Sequence, residues 1–188
     1  CLNPWQRQDG ASQQARVHER RSAMPLAAGS SYFLSGVMQG KKADGDGIAG
    51  TVPQDYRQQM RAAIVAADAS ATVVEPWDLL AALCQELYPE GTPQADMFCD
   101  NAHVKRAFSM CMDAAAAADV VVSYLPEASM GSAVEIHTAH AAGKTILVVA
   151  PGTMAQNWVV RSYAERTFAS IEELGTWLSA TVAVESKP

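Results

Sequence analysis

Two rhythms of apolar and polar residues take turns along this chain. Short runs of β-branched and other apolar residues have the length and composition of strands buried on both faces of a sheet, and longer stretches with apolar residues every three or four positions read as helices lying on it. The short runs are residues 31–36 (SYFLSG), 71–75 (ATVVE), 120–125 (VVVSYL), 145–150 (TILVVA) and a brief edge segment at 167–169. Between them, a helix opens at Pro53, with proline in its first turn and Tyr56, Met60, Ile64 and Ala67 along one face. Further helices are predicted over 79–88, 103–118, 132–143, 157–163 and 171–182. Strand and helix alternate throughout, which predicts one α/β domain: a flavodoxin-like (Rossmann-like) three-layer sandwich with a five-stranded parallel sheet in the order 2-1-3-4-5.

Residues 1–30 do not share this patterning. They are polar, rich in Gln, Arg and Ser, and read as a flexible N-terminal arm before a single domain over 31–188. Residues 89–100 are irregular. Apolar residues make up 49% of the 188 and charged residues 18%, the balance of a globular protein. With 14 Lys and Arg against 20 Asp and Glu the net charge is -6, and no basic stripe is present, so nucleic acid is not an expected partner. No apolar run approaches the roughly eighteen residues of a membrane span. Cys1, Cys84, Cys99 and Cys111 show neither CxxC pairing nor metal-ligand spacing, the pattern of reduced thiols in a cytoplasmic protein.

In an open parallel sheet, ligands bind beyond the carboxyl ends of the strands. The stretch 119–135, strand then loop then helix, delivers Glu135 to that edge. With the helix starting at Ser132, Glu135 falls in its first turn, where the helix dipole favours the ionised carboxylate and suits it to act as a nucleophile. The competing reading is structural: Ser132 and Glu135 have the spacing of a capping box. Asp78, after the second strand, is placed either to touch a ligand or to cap the helix that follows. Asp44 and Asp46, in the glycine-rich loop after the first strand, lack the remaining ligands of a calcium loop. That loop is not a Walker loop either. His137 and His140 have ligand-compatible spacing but no third partner, so no metal is expected. Asp113 lies on the helix before the central strand, and Asp119 at the strand's amino end.

These residues carry a resemblance. GSAVEI, residues 131–136, resembles the GSAxEI signature of the nucleoside 2-deoxyribosyltransferases, in which the glutamate captures the sugar. YFLSG, residues 32–36, is similar to the YFxxG that ends their first strand, whose tyrosine touches that glutamate. Asn157 lies where the family has an asparagine reaching a neighbouring subunit's site. A sister branch, the deoxynucleoside 5'-monophosphate N-glycosidases, carries SxGxxxE with the serine on the 5'-phosphate, a pattern matched by Ser129, Gly131 and Glu135. Where that branch has a serine and an arginine after the first strand, this chain has Gly36 and Met38, leaving Gln39 or Lys41 to stand in. The family's helical aspartate aligns with Cys111, and Asp113 lies about 200° further around the helix.

The resemblance implies double displacement at the anomeric carbon with no cofactor. Glu135 attacks, Tyr32 orients it, and Asp113, Asp78 or a water protonates the departing base. Gly36, Gln39, Asp78, Ser129, Gly131, Ser132 and Asn157 are the implied substrate-binding positions. A nucleoside or nucleotide is the implied partner, and sites completed across an interface imply a homodimer or higher homo-oligomer. The alternative is a non-catalytic nucleotide-binding or sensing module on the same fold. A phosphoribohydrolase of the cytokinin-activating type would require a PGGxGTxxE loop, and PEASMGSAVE lacks the paired glycines.

Overall fold

The computed structural model describes residues 26–38, 53–92 and 100–182. Within them, five strands form one parallel sheet: β1 (Ser31–Gly36), β2 (Thr72–Val74), β3 (Val120–Tyr124), β4 (Thr145–Val149) and β5 (Arg166–Phe168). Their order is β2-β1-β3-β4-β5, as the alternation of elements predicts. Six α-helices are described: α1 (Asp55–Ala67), α2 (Pro76–Leu87), α3 (Asn101–Ala117), α4 (Met130–Ala141), α5 (Trp158–Tyr163) and α6 (Ile171–Val182). None of them is long and apolar enough to cross a membrane.

Alternate residues of each strand point to opposite faces, so the sheet feeds two cores. One face carries Tyr32, Leu34, Val120, Val122, Leu147 and Val149 against Tyr56, Met60 and Ile64 of α1 and Leu174 and Leu178 of α6. The other carries Phe33, Val121, Ile146 and Val148 against Cys111 and Ala115 of α3, Ile136 and Ala139 of α4, and Val160 of α5. Leu26 is buried in the first core and Gly29 donates its N–H to Asp68 Oδ2 at 2.7 Å, so packing begins five residues ahead of the predicted domain start.

Element ends differ from expectation for local reasons. The second helix starts at Pro76 rather than after Asp78, because Glu75 and Asp78 form a capping box one turn earlier, Asp78 Oδ2 accepting from the Glu75 N–H at 3.2 Å. The third starts at Asn101 because Asp100 caps it, accepting from the Ala102 N–H at 2.7 Å. Between β4 and α5 a 3-10 turn, Gly152–Gln156, has no periodicity that a sequence would show.

Candidate active site

β1 and β3 lie side by side at the middle of the sheet, with Ser35 directly opposite Ser123. Both serines are completely buried. They fall on the α3 and α4 face, in line with Phe33 and Val121. Two hydroxyls at the end of apolar runs need partners. Ser35 Oγ lies 2.5 Å from Glu135 Oε2, and Ser123 Oγ lies 3.3 Å from Ser35 Oγ. A carboxylate has no proton to give, so Ser35 donates to Glu135 and Ser123 donates to Ser35. Among the described residues no hydrogen bond reaches the other carboxylate oxygen, Oε1, and no sealed side-chain oxygen or nitrogen lacks a partner, so Oε1 is not sealed from solvent.

Glu135 is only 6% exposed. Burial disfavours its ionised form and pushes its pKa up from 4.5 to about 7, against the opposing pull of the Ser35 hydrogen bond and the nearby Arg57 guanidinium. Glu135 is thus neither in the first helical turn nor in a setting that favours its ionised form, both of which the sequence pattern predicts. The helix begins at Met130 with Ser129 as its cap, accepting from the Ser132 N–H at 3.3 Å and the Ser132 hydroxyl at 3.0 Å. Glu135 therefore sits in the second turn, bound across the sheet edge instead of to its own helix. Ser132 is buried beneath the cap rather than forming it.

α1 closes the other side. Arg57 is 2% exposed and donates to the carbonyls of Leu34 and Gly36 at 3.1 and 3.4 Å. β2 stops at Val74, opposite Phe33, so the guanidinium replaces the strand partner that the end of β1 lacks. Its Nε donates to Gln54 at 2.9 Å, and Glu75 lies 3.7 Å away as counter-ion. Tyr56 donates to the Val37 carbonyl at 3.2 Å and stacks on Tyr124 with ring centroids 4.7 Å apart. Burial pushes the Tyr56 phenol up to about 12, Arg57 pulls it down, and the charge of Glu135 adds to the rise.

Several sequence candidates take other places. Tyr32 is near the amino end of β1 and in the α1 and α6 core, three residues and one sheet face away from Ser35. Its phenol, pushed to about 12 by burial and by Asp68 and Asp119, belongs to that core and not to the face where Ser35 meets Glu135. The tyrosine within electrostatic reach of Glu135 is Tyr56. α3 turns Ala107, Cys111 and Ala115 inward and Asp113 to solvent. Cys111, its thiol pushed to about 12 by burial and then by Glu135, occupies the inward position that Asp113 would need. Asp78 is exposed and committed to its capping box and to Arg61, 2.9 Å away.

Gly36 follows Ser35 at the end of β1, Ser129 caps α4, and Gly131, in the first turn of α4, has open space where a side chain would begin. Asn157 caps α5, accepting from the Val159 N–H at 2.9 Å. Gln39, Lys41, Asp44, Asp46, Cys1 and Cys99 lie outside the described residues. His137 and His140 pack on Tyr163. No cluster of three His, Cys, Asp or Glu side chains suited to a metal occurs among the described residues. A concavity of about 460 Å³ lies at the opposite, amino edge of the sheet, between residues 26–30 and Asp119, Gly143 and Glu165, away from Glu135.

Sequence reasoning missed Ser35, Ser123, Tyr56 as a site residue, and Arg57. The available signal was a serine near the carboxyl end of each of two adjacent apolar strands, and an arginine inside the apolar face of α1.

No protein-family model matches the sequence, and no curated protein matches it significantly. Solved structures do. The 2-deoxyribosyltransferase of Bacillus psychrosaccharolyticus superposes with a TM-score of 0.54 at 15% identity, covering 81% of this chain and 96% of that one. A conserved protein of Enterococcus faecalis V583 gives 0.52 at 15% identity, covering 80% and 98%. The CMP N-glycosidase of Clostridium botulinum gives 0.44 at 12% identity, covering 80% and 98%, below the level at which a common fold follows. The likeness is distant and one of fold: this chain has the flavodoxin-like architecture of the 2-deoxyribosyltransferase structure.

Proposed function

We propose that the chain cleaves the N-glycosidic bond of a nucleoside or nucleoside 5'-monophosphate, with Glu135 as nucleophile and water or a second base as acceptor. The observation that carries this reading is Glu135 itself: a buried carboxyl at the carboxyl edge of a parallel sheet, held by one oxygen and, among the described residues, free at the other. Burying a carboxylate that has no ion partner among the described residues costs stability, a cost that fold maintenance does not require here. The GSAVEI and SxGxxxE patterns and the shared architecture support the substrate class.

In the first step the free carboxylate oxygen bonds to C1' as the C1'–N bond breaks, and its electron pair leaves with the base. In the second, water or another base attacks C1', the ester bond breaks, and the carboxylate is restored. A pKa near 7 leaves about half of Glu135 ionised at neutral pH, enough for attack. Asp113 and Asp78 face solvent, so a water is the proton donor this geometry favours for the departing base. Gly131 leaves room at the first turn of α4, where Ser129 and the helix amides suit a 5'-substituent. Asn157 completes a neighbouring subunit's site in a homodimer.

The second reading, a non-catalytic nucleotide-binding module, is favoured by the placement of Tyr32 in the core and Asp113 at the surface. A chromatographic assay decides between them, using nucleosides and their 5'-monophosphates, with and without added free base, on wild type and Glu135→Ala. Base released by wild type alone supports the N-glycosidase. Base exchange selects transfer. Equal nucleotide binding by both proteins with no turnover removes the catalytic reading.

A further inference from the structure

Among the described residues, the one side-chain hydrogen bond to Glu135 comes from a hydroxyl whose own oxygen is bonded from behind. Ser35 and Ser123 are paired neighbours on β1 and β3, the two strands at the middle of the sheet, and neither is exposed at all. Each hydroxyl has one proton. Ser35 spends its proton on Glu135 Oε2, and Ser123 can then only donate to the Ser35 lone pair, so the two hydroxyls point in series toward the carboxylate. Rows of hydroxyls in a dry environment polarise one another, so the second strengthens the first.

We propose that Ser35 and Ser123 form a hydroxyl relay that positions Glu135 and keeps it ionisable, clamping Oε2 so that Oε1 is the attacking atom. This rests on the proposed function for its catalytic consequence, and on geometry alone for the relay. The relay sits on rigid strands, whereas Glu135 has three side-chain torsions of its own. Anchoring one oxygen removes most of that freedom before substrate arrives.

Other groups also bear on Glu135. From α1, Arg57 favours the carboxylate, although its N–H groups are turned to the carbonyls of Leu34 and Gly36, to Gln54 and toward Glu75. Tyr56, also on α1, and Cys111 on α3 are neutral until far above neutral pH and add no charge. On α4 itself no charged neighbour contributes to the balance. Arg57 supplies charge at a distance; Ser35 supplies the direct proton.

The test uses the full chain with ¹³C-labelled glutamate, Glu135→Gln assigning the resonance, in wild type, Ser35→Ala, Ser35→Thr and Ser123→Ala. Losing a hydrogen bond to a charged group should move the Glu135 midpoint upward by about one pH unit or more in Ser35→Ala. Ser123→Ala should move it less, in the same direction, and Ser35→Thr should restore it. On a substrate that wild type turns over, kcat of Ser35→Ala at pH 6.5 should fall about tenfold with KM little changed, recovering as pH rises. An unmoved Glu135 midpoint in folded Ser35→Ala overturns the relay, whatever the activity. If wild type turns over no nucleoside or nucleotide while the midpoints move as stated, the relay stands and the proposed function fails.

Discussion

Gly36 lies directly beneath the hydroxyl of Tyr56: a Cβ at that position would come within 2.5 Å of the phenol oxygen and 2.8 Å of the ring. The ring cannot swing aside easily, because it is buried and stacked on Tyr124, which is itself the cross-strand partner of Gly36. Gly36→Ala should therefore destabilise the fold by about 1–3 kcal/mol, the usual cost of overpacking, read from denaturant unfolding. Tyr56→Phe removes the closest atom, so the pair Gly36→Ala/Tyr56→Phe should lose less than the two single changes added together. Strict additivity would show that the contact is not the cause.

The pH dependence of stability has a sign fixed by Glu135. Its folded pKa is raised, from 4.5 to about 7. Below about 4.5 the carboxyl is protonated in both states and its contribution is fully present. Between 4.5 and 7 the unfolded chain releases the proton while the folded chain holds it, so stability falls; above 7 the loss is complete. The gap corresponds to about 3 kcal/mol. Glu135→Gln should accordingly melt higher than wild type at pH 8 and close to it at pH 4.5. Parallel melting curves at the two pH values would contradict the burial of an ionisable Glu135.

Arg57 should be the least replaceable side chain at this edge. It satisfies the carbonyls of Leu34 and Gly36, where β2 has already ended, and has Glu75 within 3.7 Å. Arg57→Met removes the guanidinium donor from those carbonyls and leaves Glu75 with Arg61, at 2.9 Å, as its remaining ion partner among the described residues. A loss of about 3 kcal/mol or more follows, together with a further rise of the Glu135 midpoint, since a favourable charge has gone. Unfolding and the glutamate titration measure the two effects separately, and a stable variant with an unmoved midpoint would refute both.

What the sequence disclosed, and what it did not, follows from the range of each signal. Strand and helix order, and the sheet order, came from runs such as VVVSYL and TILVV, whose burial on both faces leaves a local mark. The position of Glu135 at the carboxyl edge of the sheet was legible because the strand, loop and helix around it each leave a local mark. Tyr32 was misplaced as an orienting residue because a strand's alternation says that Tyr32 and Ser35 face opposite sides without saying which side the helix with Glu135 covers. That assignment comes from α4 packing beside Phe33 and Val121, a contact across about 100 residues. Asp113 illustrates the same limit. Its 200° turn from Cys111 was readable, but only the packing of Cys111 and Ala115 against the sheet decides which of the two faces inward. Ser35 and Ser123 gain their meaning from strand register, which no single run of residues encodes.

The proposed function gives Asn157 a second role beside its structural one, and the two use different atoms of the side chain. Its Oδ1 caps α5 by accepting from the Val159 N–H at 2.9 Å; under the proposed function, Nδ2 is then the donor for a sugar hydroxyl in a neighbouring subunit's site. Asn157→Ala removes both and should cost about 1 kcal/mol in stability as well as activity. Asn157→Asp keeps the acceptor and loses the donor, so stability should stay within about 0.5 kcal/mol of wild type while kcat/KM falls about tenfold, one hydrogen bond's worth. Activity per chain should also decline on dilution in step with loss of the dimer, followed by light scattering on the same samples. If the aspartate variant is fully active, or a proven monomer keeps full activity, Asn157 is a helix cap and the site is complete within one chain.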